Sequence, residues 1–317
     1  MARIVSLGGA LQNIYLIDHD DLISGKIIAG KDVTIDNLKY QVGGGGLNAG
    51  ITFARYGHET ILMANIACDA AGEAVIATLD KEGIDNSYVC DDVFKTTGTS
   101  VILLDSGSGK RTVLTHRGAS EKFGNLNEND LDLIQPDWLY ATTTMGDTET
   151  LSRFFKKAHV IGSKVMFGPG PRELSDVRKM IELLADVDIL ILNKREAARM
   201  VPGTVLTELL YHLNNYAPCV IITDGVMGGV AGSRATKEYY RFGIYEDVKV
   251  RDVSGVGDAF ASGFLAAYAG GKSFYDAIIF ASANATSVVK TVGANAGILN
   301  GTEKLHMMPI QKIKEIC

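Results

Sequence analysis

Cysteine is scarce, with four in 317 residues, and Cys68, Cys90, Cys219 and Cys317 form no C-x-x-C pair. Such spacing suggests neither a zinc cage nor a disulfide framework, and a reducing compartment is the expectation. A basic excess is missing too: 31 Lys and Arg face 37 Asp and Glu, a formal charge of −6. Nucleic-acid binders draw most of their affinity from Lys and Arg on phosphates, so no such partner is expected. No run reaches the roughly 18 apolar residues of a membrane span. Met1-Ala2-Arg3 passes straight into a strand-like stretch without a signal-peptide pattern. The expectation is a cytoplasmic protein with no membrane partner. The six histidines, His19, His58, His116, His159, His212 and His306, show no metal-ligand spacing. Proline is sparse at six residues against 35 glycines, a balance that suits tight turns and close backbone approach to a ligand. With 46% hydrophobic and 21% charged residues, the composition is that of a folded globular chain. Its length allows one large α/β domain or two smaller ones.

Apolar runs at 3–7, 60–66, 101–104, 138–141, 164–167, 189–192 and 220–223 read as strands. Helical periods fall between several of them, over 50–56, 71–81, 151–161 and 176–184. Strands alternating with helices imply a doubly wound, mostly parallel sheet covered on both faces, with sites at the carboxyl ends of its strands. Two stretches break the alternation. Residues 13–42 carry the run 14–17, a turn at Gly25 and an extended 32–40; residues 96–117 predict a hairpin pairing 99–105 with 111–116. Together they predict a small β-rich lid (13–42 and 96–117) on an α/β core (1–12, 43–95 and 118–317).

Two glycine motifs are decoys. Gly107-Ser108-Gly109-Lys110 lacks the first Gly and the final Ser/Thr of a P-loop, and Gly8-Gly9 lacks dinucleotide spacing. Asp252-Val253-Ser254-Gly255-Val256-Gly257-Asp258-Ala259-Phe260 is more informative, because it follows a β-like 245–250 and opens a helix. The N–H groups of Gly255, Val256 and Gly257 converge there with the positive helix end, which makes an anion hole. Asp258 stands beside it, placed to take the proton of a substrate hydroxyl; the alternative is a capped glycine turn. Gly43-Gly44-Gly45-Gly46-Leu47-Asn48 precedes a helix and offers either bare backbone plus an amide to vicinal hydroxyls or an extended turn. Asn193-Lys194-Arg195-Glu196 ends a strand, where it either orders hydrated Mg²⁺ or caps a helix. Thr223-Asp224-Gly225-Val226-Met227-Gly228 also ends a strand, against a nucleotide or merely between two strands.

In this order and at these separations, the four motifs resemble the ribokinase-like (PfkB) family of carbohydrate and nucleoside kinases over essentially the whole chain. Gly43, Gly44 and Asn48 match its first signature, and 252–260 its second, usually D-T-x-G-A-G-D-x-F. The resemblance implies Asp258 as catalytic base, the Gly255, Val256 and Gly257 amides as anion hole, and Asn13, Gly43, Gly44 and Asn48 as contacts to the phosphoryl acceptor. It implies Asn193 and Glu196 near Mg²⁺ and the ATP phosphates through water, Thr223, Gly225 and Gly228 at the nucleotide, and Ser282 and Asn284 near the adenine. It further implies a K⁺ loop from Asp252, Ser254, Val288, Thr291 and Gly293, and a homodimer contact through the lid. Departures are Asn13 where the family commonly has Asp, Val256 for Ala, Gly168 in the strand-end turn 167–171, and Gly297 where a hydroxyl residue often completes the K⁺ site. The leading expectation is an ATP-dependent kinase acting on a hydroxyl of a ribose- or fructose-like sugar. A nucleoside kinase is the alternative, and a sugar-phosphate kinase using Lys110, Arg111 and Arg117 or a silent binding protein ranks lower.

Overall fold

The structure is a computed structural model that describes residues 1–18, 30, 32, 34–105 and 110–314. Its strands are β1 (Arg3–Leu7), β2 (Leu11–Asp18), β3 (Asn37–Gly43), β4 (Glu59–Ile66), β5 (Val89–Asp91), β6 (Gly98–Asp105), β7 (Arg111–His116), β8 (Trp138–Ala141), β9 (Lys164–Phe167), β10 (Ile189–Asn193), β11 (Cys219–Thr223), β12 (Gly229–Ser233), β13 (Glu238–Phe242) and β14 (Ile310–Lys312). The helices are α1 (Gly45–Tyr56), α2 (Ala70–Glu82), α3 (Asp130–Ile134), α4 (Thr148–Val160), α5 (Val177–Leu184), α6 (Lys194–Met200), α7 (Leu206–Leu213), α8 (Val256–Ala269) and α9 (Phe274–Val289).

Ten strands form one sheet in the order β14-β13-β12-β11-β10-β9-β8-β1-β4-β5. From β5 to β11 neighbours run parallel, and β12, β13 and β14 add an antiparallel edge. Alternate side chains of the central strands enter two separate cores. Val5, Leu7, Leu139, Ala141, Val165 and Phe167 pack on one face with α4 and α5. Ile4, Trp138, Tyr140 and Met166 pack on the other with α1, α8 and α9. Burial on both faces is why these strands read as unbroken apolar runs. From β1 the chain moves to β4 on one side and later returns to β8 on the other, so the winding reverses at β1. Sheets of this kind bind ligands at the carboxyl ends beside such a reversal.

A second sheet has the order β3-β2-β6-β7 and is built from the two segments that break the alternation. The predicted hairpin forms with register Thr99↔His116 to Leu104↔Arg111. Its turn, including the Gly107-Ser108-Gly109 decoy, lies outside the described residues, as does Gly25. Two local expectations change. Residues 245–250 form no strand, because Asp247 takes φ 58°, Glu246, Asp247 and Lys249 face solvent, and β14 fills the place beside β13. Helix α1 begins at Gly45, not near Gly50, since Gly44 at φ 103° serves as its cap. No helix among the described residues is long and apolar enough to cross a membrane.

Candidate active site

At the carboxyl ends of β8 to β11 a cleft of about 360 Å³ is lined by Thr142, Asn193, Glu196, Thr223, Gly257 and Asp258, among others. Helix α8 points its N-terminus into this cleft. Gly255 caps it in the left-handed region at φ 72°, and a Cβ there would stand 2.4 Å from the Ala294 carbonyl oxygen, so only glycine fits the turn. The first backbone bond into the helix runs from Ala259 N to Gly255 O at 2.8 Å. The amides of Val256, Gly257 and Asp258 come before it and have no partner within the helix, which leaves them for an anion.

Asp258 is half-buried, open to the cleft and enclosed elsewhere. Its Oδ2 accepts a hydrogen bond of 2.9 Å from Asn48 Nδ2, and Asn48 Oδ1 accepts one of 3.3 Å from Asn295 Nδ2. Asn295 also donates to Val42 O at 2.8 Å, which ties the end of β3 to the same chain of amides. One turn along, Ser262 Oγ lies 2.6 Å from Asp258 O and 2.8 Å from Thr52 Oγ1, which donates to Asn48 O at 3.2 Å. These contacts hold α1 and α8 in one register and aim the carboxylate. Burial raises the pKa of Asp258, and the Asn48 hydrogen bond pulls it partly back. Removing that bond in Asn48→Ala therefore moves the acid limb of the rate profile to higher pH, read as kcat/KM across pH. An unmoved limb would deny Asn48 its hold on Asp258.

The glycine run has a reason that the sequence did not show. A Cβ on Gly44 would stand 2.3 Å from Gly9 O, and one on Gly46 2.7 Å from Gly8 C, so both permit the turn after β1 to press on α1. Gly45 alone of the run lines the cleft. Asn13, on β2, puts Nδ2 2.4 Å from where a Cβ of Gly43 would be, so it sits against the backbone of the first signature.

At the far end, Asn193 and Glu196 form a reciprocal capping box on α6: Asn193 Oδ1 accepts from Glu196 N at 3.0 Å and Glu196 Oε2 from Asn193 N at 2.8 Å. The plain alternative is thus realised, yet both residues also line the cleft, and burial raises the pKa of Glu196. No cluster of three metal-ligating side chains occurs among the described residues. One carboxylate with one oxygen committed fits an outer partner of a hydrated Mg²⁺ carried by phosphates, the usual manner for that ion. Thr223 ends β11, and the turn through Gly225 (φ 56°) and Gly228 (φ 76°) joins it antiparallel to β12. Lys194 Nζ donates to Asp224 Oδ2 in that turn at 3.1 Å.

Asn284 departs from expectation. It is fully buried away from the cleft, with Nδ2 donating to Ala259 O at 2.8 Å and Oδ1 accepting from Leu299 N at 2.9 Å, so its amide is spent inside the fold. Ser282 is buried on the same helix, and neither lines the cleft. Asp252, Ser254, Val288, Thr291 and Gly293 lie together behind the N-terminus of α8, with Asp252 Oδ1 accepting from Ser254 N at 2.8 Å and Oδ2 from Gly293 N at 3.0 Å. Several site residues escaped the sequence reading because no motif marks them. Glu173, 1% exposed, accepts from Thr143 Oγ1, Thr144 N, Gly146 N and Gly170 N, and so gathers the loops that follow β8 and β9. Thr142 brings a buried, unpartnered hydroxyl to the cleft beside Gly45.

Comparison with known proteins places the chain in a family. A family profile described as pfkB family carbohydrate kinase matches residues 1–300. A ribokinase of Haemophilus influenzae is 28% identical over 306 residues, covering 92% of this chain and 96% of the relative. The solved adenosine kinase of Sinorhizobium meliloti superposes with a TM-score of 0.80 at 20% identity, covering 95% of this chain and 98% of that one. The Arabidopsis thaliana ribokinase, solved with ribose and ATP, gives 0.78 at 22% identity over 94% and 96% of the two chains.

Proposed function

The chain belongs to the pfkB family of carbohydrate kinases, and from that premise we propose that it moves the γ-phosphoryl group of ATP to a hydroxyl of a small, ribose- or fructose-like sugar. It is a phosphotransferase with an alcohol acceptor. The observation that carries the finer reading is the Asp258 carboxylate, held by Asn48 beside the N-terminus of α8 in a cleft at the strand ends.

Asp258 takes the proton of the attacking hydroxyl as the O–P bond forms. Its raised pKa makes it a better proton acceptor than an exposed aspartate. The Val256 and Gly257 amides and the helix dipole face the charge that spreads over the transferring phosphoryl oxygens. At the other end of the cleft, Thr223 and the Gly225–Gly228 turn hold the nucleotide. When bound, Mg²⁺ would supply charge neutralisation on the phosphates, and Glu196 and Asn193 are the residues that would hold it through water. Asn13, Gly43 and Asn48 contact the phosphoryl acceptor. The small sheet acts as a lid over it, keeping water from the phosphoryl group.

A nucleoside acceptor is the second reading. It is favoured by an amide, Asn13, where a carboxylate would grip sugar hydroxyls more strongly, and by the bare backbone of Gly45 in the cleft. The lid also offers a contact for a second copy of this chain. Tyr40, Ile14, Val101 and Leu114 lie in one cross-strand row, and Tyr40 and Leu114 are about 60% exposed.

The test is ADP release from Mg·ATP with ribose, fructose, adenosine, other nucleosides and fructose 6-phosphate, each repeated with Asp258→Asn. Turnover on a free sugar, lost in the variant, is expected. Turnover on nucleosides alone selects the second reading, and binding without Asp258-dependent turnover sinks both.

A further inference from the structure

We propose that the Arg111 guanidinium, brought in by the small sheet, takes the place of the monovalent cation behind the anion hole, so that this kinase needs no K⁺. The proposal rests on the kinase reading for its rates but not for its binding measurement.

Side chains alternate across the small sheet, and its inward face carries Tyr15, Lys39, Ile102 and Arg111. Arg111 Nη1 lies 3.8 Å from Asp252 Oδ1; the Asp252 side chain is wholly buried and that of Arg111 is 26% exposed. The Tyr15 hydroxyl belongs to the same cluster: burial and the charge of Asp252 push its pKa up to about 12, against the opposing pull of Ser254 and Arg111. Lys39 Nζ donates to Val292 O at 2.7 Å, in the loop expected to turn its carbonyls on a cation. Two positive side chains from one sheet thus meet the acidic and carbonyl groups of that loop.

The remaining groups fit K⁺ poorly. Val288 O already accepts from Thr291 N and from Thr291 Oγ1, both at 3.1 Å, which uses both its lone pairs. Gly293 is pressed against the Gln41 amide, with 1.8 Å between Gln41 Oε1 and the position of a Cβ. Gly297 brings no hydroxyl. A second cation within a few ångströms of the guanidinium would be repelled strongly in this poorly hydrated place. Asp252 binds Ser254 N, one residue before the Gly255 cap. Arg111 is therefore a positioning residue: it neutralises the carboxylate that sets the anion-hole turn. Ser254 Oγ and Tyr15 Oη are buried without hydrogen-bond partners, and both oxygens remain beside Asp252 to meet a cation once the guanidinium is removed.

Rates are read with Mg·ATP and the best phosphoryl acceptor of the panel above, in tetramethylammonium chloride and then with K⁺ at equal ionic strength. The wild type is expected to run equally fast in both. Arg111→Ala should lose about tenfold or more in kcat in tetramethylammonium, as expected when one partner of a buried charge pair is deleted. K⁺ or free guanidinium should restore part of that rate, and Arg111→Lys should stay indifferent to K⁺. Melting temperatures in the two salts supply an arm that needs no turnover. The wild type should melt identically, and K⁺ should raise Arg111→Ala by about 2 °C or more through binding to the folded state.

A wild type that K⁺ accelerates about tenfold, or selectively stabilises against melting, overturns the proposal. So does an Arg111→Ala variant that K⁺ changes in neither arm. If Arg111→Ala fails to fold, the wild-type arms and Arg111→Lys still decide. A panel with no turnover sinks the kinase reading and leaves the melting arm standing.

Discussion

Asp258→Asn lowers kcat by about 10²–10⁴-fold, the range that a positioned general base supplies, and at the same time raises the melting temperature at neutral pH. The loss follows because the amide cannot take the hydroxyl proton, although it keeps the shape of the side chain and can still accept from Asn48 Nδ2. The gain in stability follows from the direction of the pKa shift. The folded-state pKa of Asp258 lies above the ordinary carboxylate value, with burial as the main cause. Below the unfolded-state pKa both states hold the proton and the site costs nothing. As pH rises from the unfolded-state pKa to the folded one, the unfolded chain gives up its proton freely while the native state resists ionising a buried group, and stability falls until it levels off above the folded pKa. At pH 7, above the ordinary carboxylate pKa, the penalty is present, and the uncharged amide removes it. Steady-state ADP release and thermal melting on the same two preparations check both halves. A variant that lost activity and stability together would show that Asp258 supports the fold instead of straining it.

Gly255→Ala is expected to reduce kcat by about 10²–10³-fold, the usual cost of losing a donor to the charge of a transition state. At φ 72° the new Cβ would stand 2.4 Å from Ala294 O, 2.8 Å from Ala294 Cβ and 2.9 Å from Ala294 Cα, none of which can swing aside as a long side chain can. The turn must move, and it carries the Val256 and Gly257 amides with it. A residue other than glycine in this region itself costs about 1–3 kcal/mol. The acceptor contacts proposed for Asn13 and Asn48 lie on other elements, so KM for the acceptor should change far less than kcat. Gly257→Ala is the control for backbone strain, because a Cβ there meets nothing within 4 Å. It should fold with unchanged melting temperature. Equal kcat in Gly255→Ala and the wild type would remove the anion hole from the mechanism.

The parts of the fold legible in the sequence are those written in local pattern. The runs at 138–141, 164–167 and 189–192 are buried on both faces, and that burial demands continuous apolar residues whatever the neighbours are. The Asp258 helix start was legible for a similar reason: a cap, a first turn and an acidic residue are contiguous, and their electrostatics depend on the helix itself. Residues 245–250 misled because their alternation looks like a strand, while pairing to a sheet edge is decided by what else competes for it. There β14 takes the edge.

The sequence by itself determined the alternating core, the small sheet's segments and the positions of Asp258, Glu196 and Thr223, because backbone propensity and hydrophobic period act over a few residues. Only the tertiary structure decided what these groups face. Asn48 meets Asp258 across 210 positions of chain, Asn295 joins them from a loop with no motif, and Asn284 spends its amide on α8 and on Leu299 instead of on a nucleotide. Arg111, read from sequence as a charged hairpin residue, is carried to Asp252 by the register of the small sheet. Charge and hydrogen-bond direction take effect only at a few ångströms, and those distances are set by packing between elements far apart in the chain.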